Sequence, residues 1–242
     1  NPDEIYFTSG GSEANTLALN NRRNSASSKF EHHSVITDWP KISVTKDGFI
    51  KSHKLNNMLS EWWEVPFDVM SCMHVNNEIG TTQPVKELAT IAHRYGILFH
   101  TDAVQSIPYI PIDVKDIGCD MLSASGHKFG APKGIGFLYA NERSRIKPII
   151  NGGHQESGVR PGTENVLGIV AMAAALDDTV EYMEERNAYI KSLRDNLLEK
   201  LLKIVGAYLN GSLENRVPGN INIRFSGVSG ERLVTLCSLH GI

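Results

Sequence analysis

The 242 residues are 41% apolar, enough to bury a substantial core as one large domain or as a large domain with a smaller companion. A formal charge of -3, from 24 Lys and Arg against 27 Asp and Glu scattered along the chain, offers nucleic acid no basic stretch and argues against direct DNA binding. The longest strongly apolar run, residues 167–176, is too short for a bilayer, and three cysteines are too few for a disulfide scaffold; no membrane and a reducing cytoplasm are the expectations.

Residues 5–7 (Ile-Tyr-Phe) read as a strand running through Thr8-Ser9-Gly10-Gly11-Ser12-Glu13 into a helix that carries Ala14, Leu17 and Ala18. A polar stretch over 20–29 is followed by strand-like runs at 34–37 and 42–45. Residues 54–64 read as a helix, with Leu55, Met58, Leu59 and Trp62 on one face. Residues 68–75 predict a strand, and Pro84 opens a helix at its first position through Leu88, Ile91 and Ala92. Gly96 stops that helix, and strands are expected at 97–100, 121–123 and 135–139. From 164 to about 204 the pattern is helical. Strands at 207–209 and 220–225 and a helix from Glu231 complete the chain, with Gly241 as a helix C-cap. Alternating strands and helices predict an α/β fold with a mostly parallel sheet flanked by helices over residues 1–165. A long connecting helix over 166–205 and part of a smaller C-terminal α/β domain over 206–242 follow. The abrupt ends lead us to expect a longer protein of which these residues are a part.

Parallel sheets bind ligands beyond the C-terminal ends of their strands, where helix N-termini also point. Gly10-Gly11-Ser12 sits at such a place: it is either a phosphate cradle or a glycine turn with Ser12 as N-cap. It matches neither the dinucleotide fingerprint nor a Walker motif. Asp102 follows an apolar strand and can cap the turn Ala103-Val104-Gln105 or pair with a cationic ring nitrogen. A ring held protonated in that way is the electron sink that pyridoxal phosphate supplies. Gln105 can reach the same region as a donor. Lys128, in Ser125-Gly126-His127-Lys128 before a Gly/Pro-rich turn, is either a solvated surface group or a Schiff-base lysine. His32 has an imidazole face to stack on a flat ring, and His127 can donate to phosphate or pack. Asn77 is a strand-end amide for a cofactor oxygen or a substrate. The histidines show no metal-ligand spacing, so no metal site is expected. Cys72, Cys119 and Cys237 each read as a small apolar residue.

At these residues the chain resembles the cysteine desulfurases of the NifS/IscS type, class V members of the fold-type I pyridoxal-phosphate enzymes. The resemblance rests on Tyr6-Phe7-Thr8-Ser9-Gly10-Gly11-Ser12-Glu13-Ala14-Asn15, Glu31-His32, Met73-His74-Val75-Asn76-Asn77-Glu78-Ile79-Gly80 and Asp102-Ala103-Val104-Gln105-Ser106. It continues through Ser123-Ala124-Ser125-Gly126-His127-Lys128, Pro132-Lys133-Gly134-Ile135-Gly136 and Gly152-Gly153-His154-Gln155-Glu156-Ser157-Gly158-Val159-Arg160-Pro161-Gly162-Thr163-Glu164-Asn165-Val166, in family order.

The resemblance implies that Lys128 forms the Schiff base, Asp102 pairs with the pyridine nitrogen, Gln105 donates to the ring oxygen and His32 stacks on the ring. It implies that Gly11, Ser12, Ser125 and His127 surround the phosphate and that Asn77 touches cofactor and substrate. Thr163 resembles the residue that reaches the phosphate of a neighbouring subunit, implying a homodimer. The implied reaction converts L-cysteine to L-alanine, with Lys128 as base and the sulfur passing to an enzyme thiolate as a persulfide for an acceptor or scaffold protein. Iron–sulfur cluster or thiolated tRNA synthesis is the implied destination. A selenocysteine lyase, an aminotransferase of the same group and a non-catalytic scaffold subunit are the alternatives. In the family, the nucleophilic cysteine and the arginine for the substrate carboxylate lie in segments that would follow Ile242. The regions around 20–29 and 38–41 are also shorter here than in family members.

Overall fold

The strands are short and mostly apolar, and the helices between them present one apolar face each, so the chain stacks helices on both sides of a sheet. A computed structural model describes residues 1–20, 22–35, 39–62 and 67–242. Among these, one sheet contains β1 (Ile5–Thr8), β2 (Ser25–Ser28), β3 (Trp39–Ile42), β4 (Val69–Ser71), β5 (Leu98–Asp102), β6 (Met121–Ser125) and β7 (Gly136–Ala140). Their order across the sheet is β1-β7-β6-β5-β4-β2-β3. The β2/β3, β2/β4, β4/β5 and β5/β6 pairs are parallel, whereas β7 runs antiparallel to both β1 and β6.

The helices are α1 (Gly11–Leu19), α2 (Ser52–Glu61), α3 (Val85–Arg94), α4 (Val114–Ile117), α5 (Val166–Glu181), α6 (Met183–Leu202) and α7 (Gly230–Leu239). Helix α1 covers one face of the sheet: Ala14, Leu17 and Ala18 pack with Val69, Met121, Leu138 and Ala140. The alternate strand residues Met70, Phe99, Leu122 and Tyr139 turn to the other face, where they meet Leu55 and Leu59 of α2, Leu88 and Ile91 of α3 and Met172 of α5. Each fully buried Leu on these faces contributes about 1.5–3 kcal/mol. A second, two-stranded antiparallel sheet pairs β8 (Ala207–Leu209) with β9 (Ile223–Phe225). Among the described residues no helix is long and apolar enough to cross a membrane.

Several sequence expectations are corrected. Of the run at 34–37, residues 34 and 35 are not in a strand: His33–Val35 form a 3-10 turn, closed by the Val35 amide on the His32 carbonyl, and residues 36 and 37 lie outside the described residues. The strand expected at 42–45 is instead Trp39–Ile42, because the chain turns back at once, with the Thr45 amide bonded to the Phe49 carbonyl. Within the polar stretch 20–29, Ser25–Ser28 form β2, pairing with β3 on one side and β4 on the other. Pro84 is the N-cap of α3 rather than its first residue. Helix α2 starts at Ser52 and ends at Glu61; residues 63 and 64 of its expected span lie outside the described residues. The helical region after 164 is two helices that meet at Tyr182.

Candidate cofactor site

Parallel pairing of β4, β5 and β6 places their C-terminal ends on one edge of the sheet, and the N-terminus of α1 opens onto that edge. A cavity of about 230 Å³ lies there. Gly11, Ser12, His32, Asn77, Asp102, Gln105, Ser125, His127 and Lys128 line it, so nine residues expected from the sequence converge. Thr163 does not; it is exposed in the loop before α5. Asn15 and Met73 also line the cavity and were not singled out from the sequence. Both lay inside quoted motifs, and Asn15 falls on the α1 face turned to the sheet.

Asp102 ends β5 and is 4% exposed. Its Oδ2 accepts from Asn15 Nδ2 at 2.7 Å and its Oδ1 from the Val104 amide at 2.9 Å. This carboxylate thus caps the turn after β5 and also borders the cavity. Burial pushes its pKa up, against the lowering effect of the two hydrogen bonds and of His32 and Lys128. Asn15 Nδ2 also donates to Ser34 Oγ at 2.9 Å, and its Oδ1 is buried without a partner. Ser34 Oγ in turn lies 2.7 Å from His32 Nδ1, so a polar chain joins Asp102 to His32. On the opposite wall, the Gly126–Lys128 turn follows β6 directly, and Ser125 Oγ lies 3.0 Å from His127 Nδ1. Burial, then the charges of Lys128 and Lys133, lower the His127 pKa.

Glycine is required where α1 begins. A Cβ on Gly11 would come within 2.7 Å of Val104 Cγ2, and one on Gly136 within 2.5 Å of the Ala124 carbonyl oxygen and 2.7 Å of Gly10 Cα. These contacts let the Gly10-Gly11 turn lie on the strand ends, with the free N–H groups of the first turn of α1 toward the cavity.

Residues 1–242 match the family described as Aminotransferase class-V. A solved NifS-like protein from Rickettsia africae superposes with a TM-score of 0.91 at 32% identity, over 98% of this chain and 68% of that one. The chain belongs to the class-V aminotransferase family.

Within that family it falls with the NifS/IscS-like cysteine desulfurases. It is 39% identical to cysteine desulfurase IscS of Dictyoglomus turgidum, over 99% of this chain and 65% of the relative. Against cysteine desulfurase IscS of Methanosarcina thermophila it is 41% identical, over 99% and 63%. The chain thus spans about two thirds of the length of the curated relatives it matches.

Class-V aminotransferases are associated with pyridoxal phosphate, and the cavity fits that group on three observations. Burial disfavours the charged form of Asp102, and a cation opposite it would favour the carboxylate. A glycine cradle at a helix N-terminus suits a phosphate. A residue bearing an amine, Lys128, lines the same cavity. None of the three cysteines lines the cavity. Burial pushes the Cys72 thiol well above its ordinary range, and the Cys119 thiol up to about 12. Both are inert packing groups at neutral pH.

Proposed function

We propose that this chain carries the cofactor site of a pyridoxal-phosphate-dependent cysteine desulfurase that converts L-cysteine to L-alanine. The observation that carries the reading is one cavity uniting Lys128, Asp102, His32 and the Gly11-Ser12 cradle, in a chain about 40% identical to cysteine desulfurases. When bound, pyridoxal phosphate supplies an electron sink that lets a proton leave the α carbon of an amino acid.

The chain's own residues do the rest. Asp102 carries negative charge for the ring nitrogen and keeps a proton on it, while Gln105 donates to the ring oxygen. His32 supplies a flat face for the ring. Ser12, Ser125, His127 and the free amides of α1 hold the phosphate. Lys128 would hold the cofactor and is the amine on this cavity that would take a proton from the α carbon. Asn77 orients cofactor and substrate. The accepting thiolate is neither Cys72 nor Cys119, since burial keeps both protonated. Its attack on the substrate sulfur forms an S–S bond as the C–S bond breaks, and the electron pair passes to the β carbon, which is protonated to give alanine. The persulfide then serves a sulfur acceptor, in a cytoplasmic homodimer to which Thr163 lends a contact with the partner's cofactor.

The test is incubation with pyridoxal phosphate, borohydride reduction and peptide mapping. The label is expected on Lys128; a label on another lysine, or none, overturns the reading. Release of alanine and sulfide from L-cysteine by the full-length protein separates a desulfurase from an aminotransferase.

A further inference from the structure

Next to the cavity, but not in its wall, lies a carboxyl group to which the mechanism gives no part. Glu31 precedes His32 and follows the turn out of β2. Its Oε1 accepts from the Ser28 hydroxyl and, at 2.9 Å, from the Met73 amide at the end of β4. Its Oε2 is buried without a partner. Two flanking residues, His32 and Met73, both line the cavity, so this carboxyl fastens the turn bearing one to the strand end bearing the other.

The surroundings do not suit an ionised group. The titratable groups that act on Glu31 are Asp102 and Lys41, and it acts in turn on Cys72. Lys41 Nζ is committed to Ser27 Oγ at 3.0 Å, Asp102 is itself an acid, and Cys72 is a buried thiol. A carboxylate with one oxygen unsatisfied and no ion-pair partner among the described residues would bear a large desolvation cost, whereas a neutral acid bears much less.

We infer that Glu31 is a positioning residue of the cofactor site: as a neutral acid it latches the His32 turn to the end of β4 and leaves Asp102 to carry the site's negative charge. Burial, reinforced by Asp102, raises the Glu31 pKa to about 8, in agreement with the geometry. The inference rests on the pyridoxal-phosphate reading for its effect on the ligand, but not for the state of the carboxyl itself.

The sign of the pH effect follows. In the unfolded chain Glu31 ionises near 4.5, and in the folded protein only near 8, so folding takes up a proton between these values. Glu31 therefore weakens the wild-type protein progressively as pH rises from about 5 to about 8, and a Gln at this position does not.

Two measurements test this on the full-length protein. In cofactor-free protein, the thermal midpoint of Glu31→Gln relative to wild type is expected to rise between about pH 5 and pH 8 and then level off; a gap that stays constant across this range overturns the neutral acid. For binding, pyridoxal phosphate is titrated at pH 7 and pH 9 and followed by its absorbance. Glu31→Gln is expected to bind within about twofold of wild type at pH 7 and about fivefold more tightly at pH 9, while Glu31→Ala binds about tenfold more weakly at pH 7. Equal losses for Gln and Ala at pH 7, or identical pH profiles for Gln and wild type, overturn the positioning role. If Glu31→Ala does not fold, the comparison of Gln with wild type decides alone. Failure of wild type itself to bind pyridoxal phosphate refutes the proposed function instead, and the cofactor-free midpoints still decide the state of Glu31.

Discussion

Two points on β5, its middle and its end, bury a polar side chain on the same face by different means. His100 is 0% exposed and stands between Ser71 Oγ, 2.8 Å from Nδ1, and Ser123 Oγ, 2.9 Å from Nε2. Burial lowers its pKa to about 3, so it is a neutral ring with both nitrogens satisfied. Asp102, two residues on, has hydrogen bonds to both oxygens and still lies on a cavity. Hydrogen bonds complete the burial of a neutral group, but a carboxylate also calls for a counter-charge. Only the end of the strand has room to receive one. The middle of β5 is a structural solution, and the end is a binding solution.

Four experiments break or sharpen that contrast. The largest effect is expected for Lys128→Ala, which removes the cavity's amine. Borohydride-fixed cofactor should fall to background, with the cofactor-free midpoint within about 2 °C of wild type because Lys128 is exposed. Asp102→Asn should weaken pyridoxal phosphate binding about a hundredfold at pH 7, since a charged partner becomes a neutral one in a buried setting. An affinity within threefold of wild type would show that Asp102 is not the counter-charge.

His100→Ala should do the converse. It strands the Ser71 and Ser123 hydroxyls beside a void and should cost about 2–4 kcal/mol in urea denaturation. The cofactor affinity of the folded fraction should move by less than about threefold. A cofactor loss like that of Asp102→Asn would erase the distinction between the two positions. The smallest effect is on the pH dependence. The unfolded chain binds a proton at His100 near 6.5 and the folded protein only near 3, so stability falls as pH drops from about 6.5 toward 3. His100 alone contributes a slope of about 1.4 kcal/mol per pH unit. His100→Gln should remove about 2 kcal/mol of the fall in unfolding free energy between pH 7 and pH 5, read by urea denaturation; an unchanged fall would show that His100 takes up its proton as readily in the folded protein as in the unfolded chain.

Helix faces and apolar strands were legible because each repeats a local period: Leu88, Ile91 and Ala92 along α3, or the alternation of Met121 and Leu122 along β6. β2 was not. Ser-Ala-Ser-Ser has no apolar period, yet Ala26, Ser27 and Ser28 are buried between β3 and β4. Small polar side chains pass there because Lys41 donates to the Ser27 hydroxyl and Glu31 accepts from that of Ser28, and the strand pairing around them is long-range. Asn15 was missed for the same reason. Its role depends on meeting Asp102, 87 residues away in the chain. Glu31 has no local signature either; its significance is an oxygen that tertiary packing leaves without a partner.

By itself the sequence determined which chemical groups exist and what each does locally. Glycines precede a helix, an aspartate ends a strand, a lysine follows a strand, and enough motifs stand in order to mark the family. Tertiary structure decided that Gly11, His32, Asn77, Asp102 and Lys128 share one cavity, because parallel pairing carries the C-terminal ends of β4, β5 and β6 to a single edge. It also decided which buried polar groups are enclosed, as His100 is, and which border a cavity, as Asp102 does. Desolvation and hydrogen bonding depend on what surrounds an atom, and for these residues the surroundings come from distant parts of the chain.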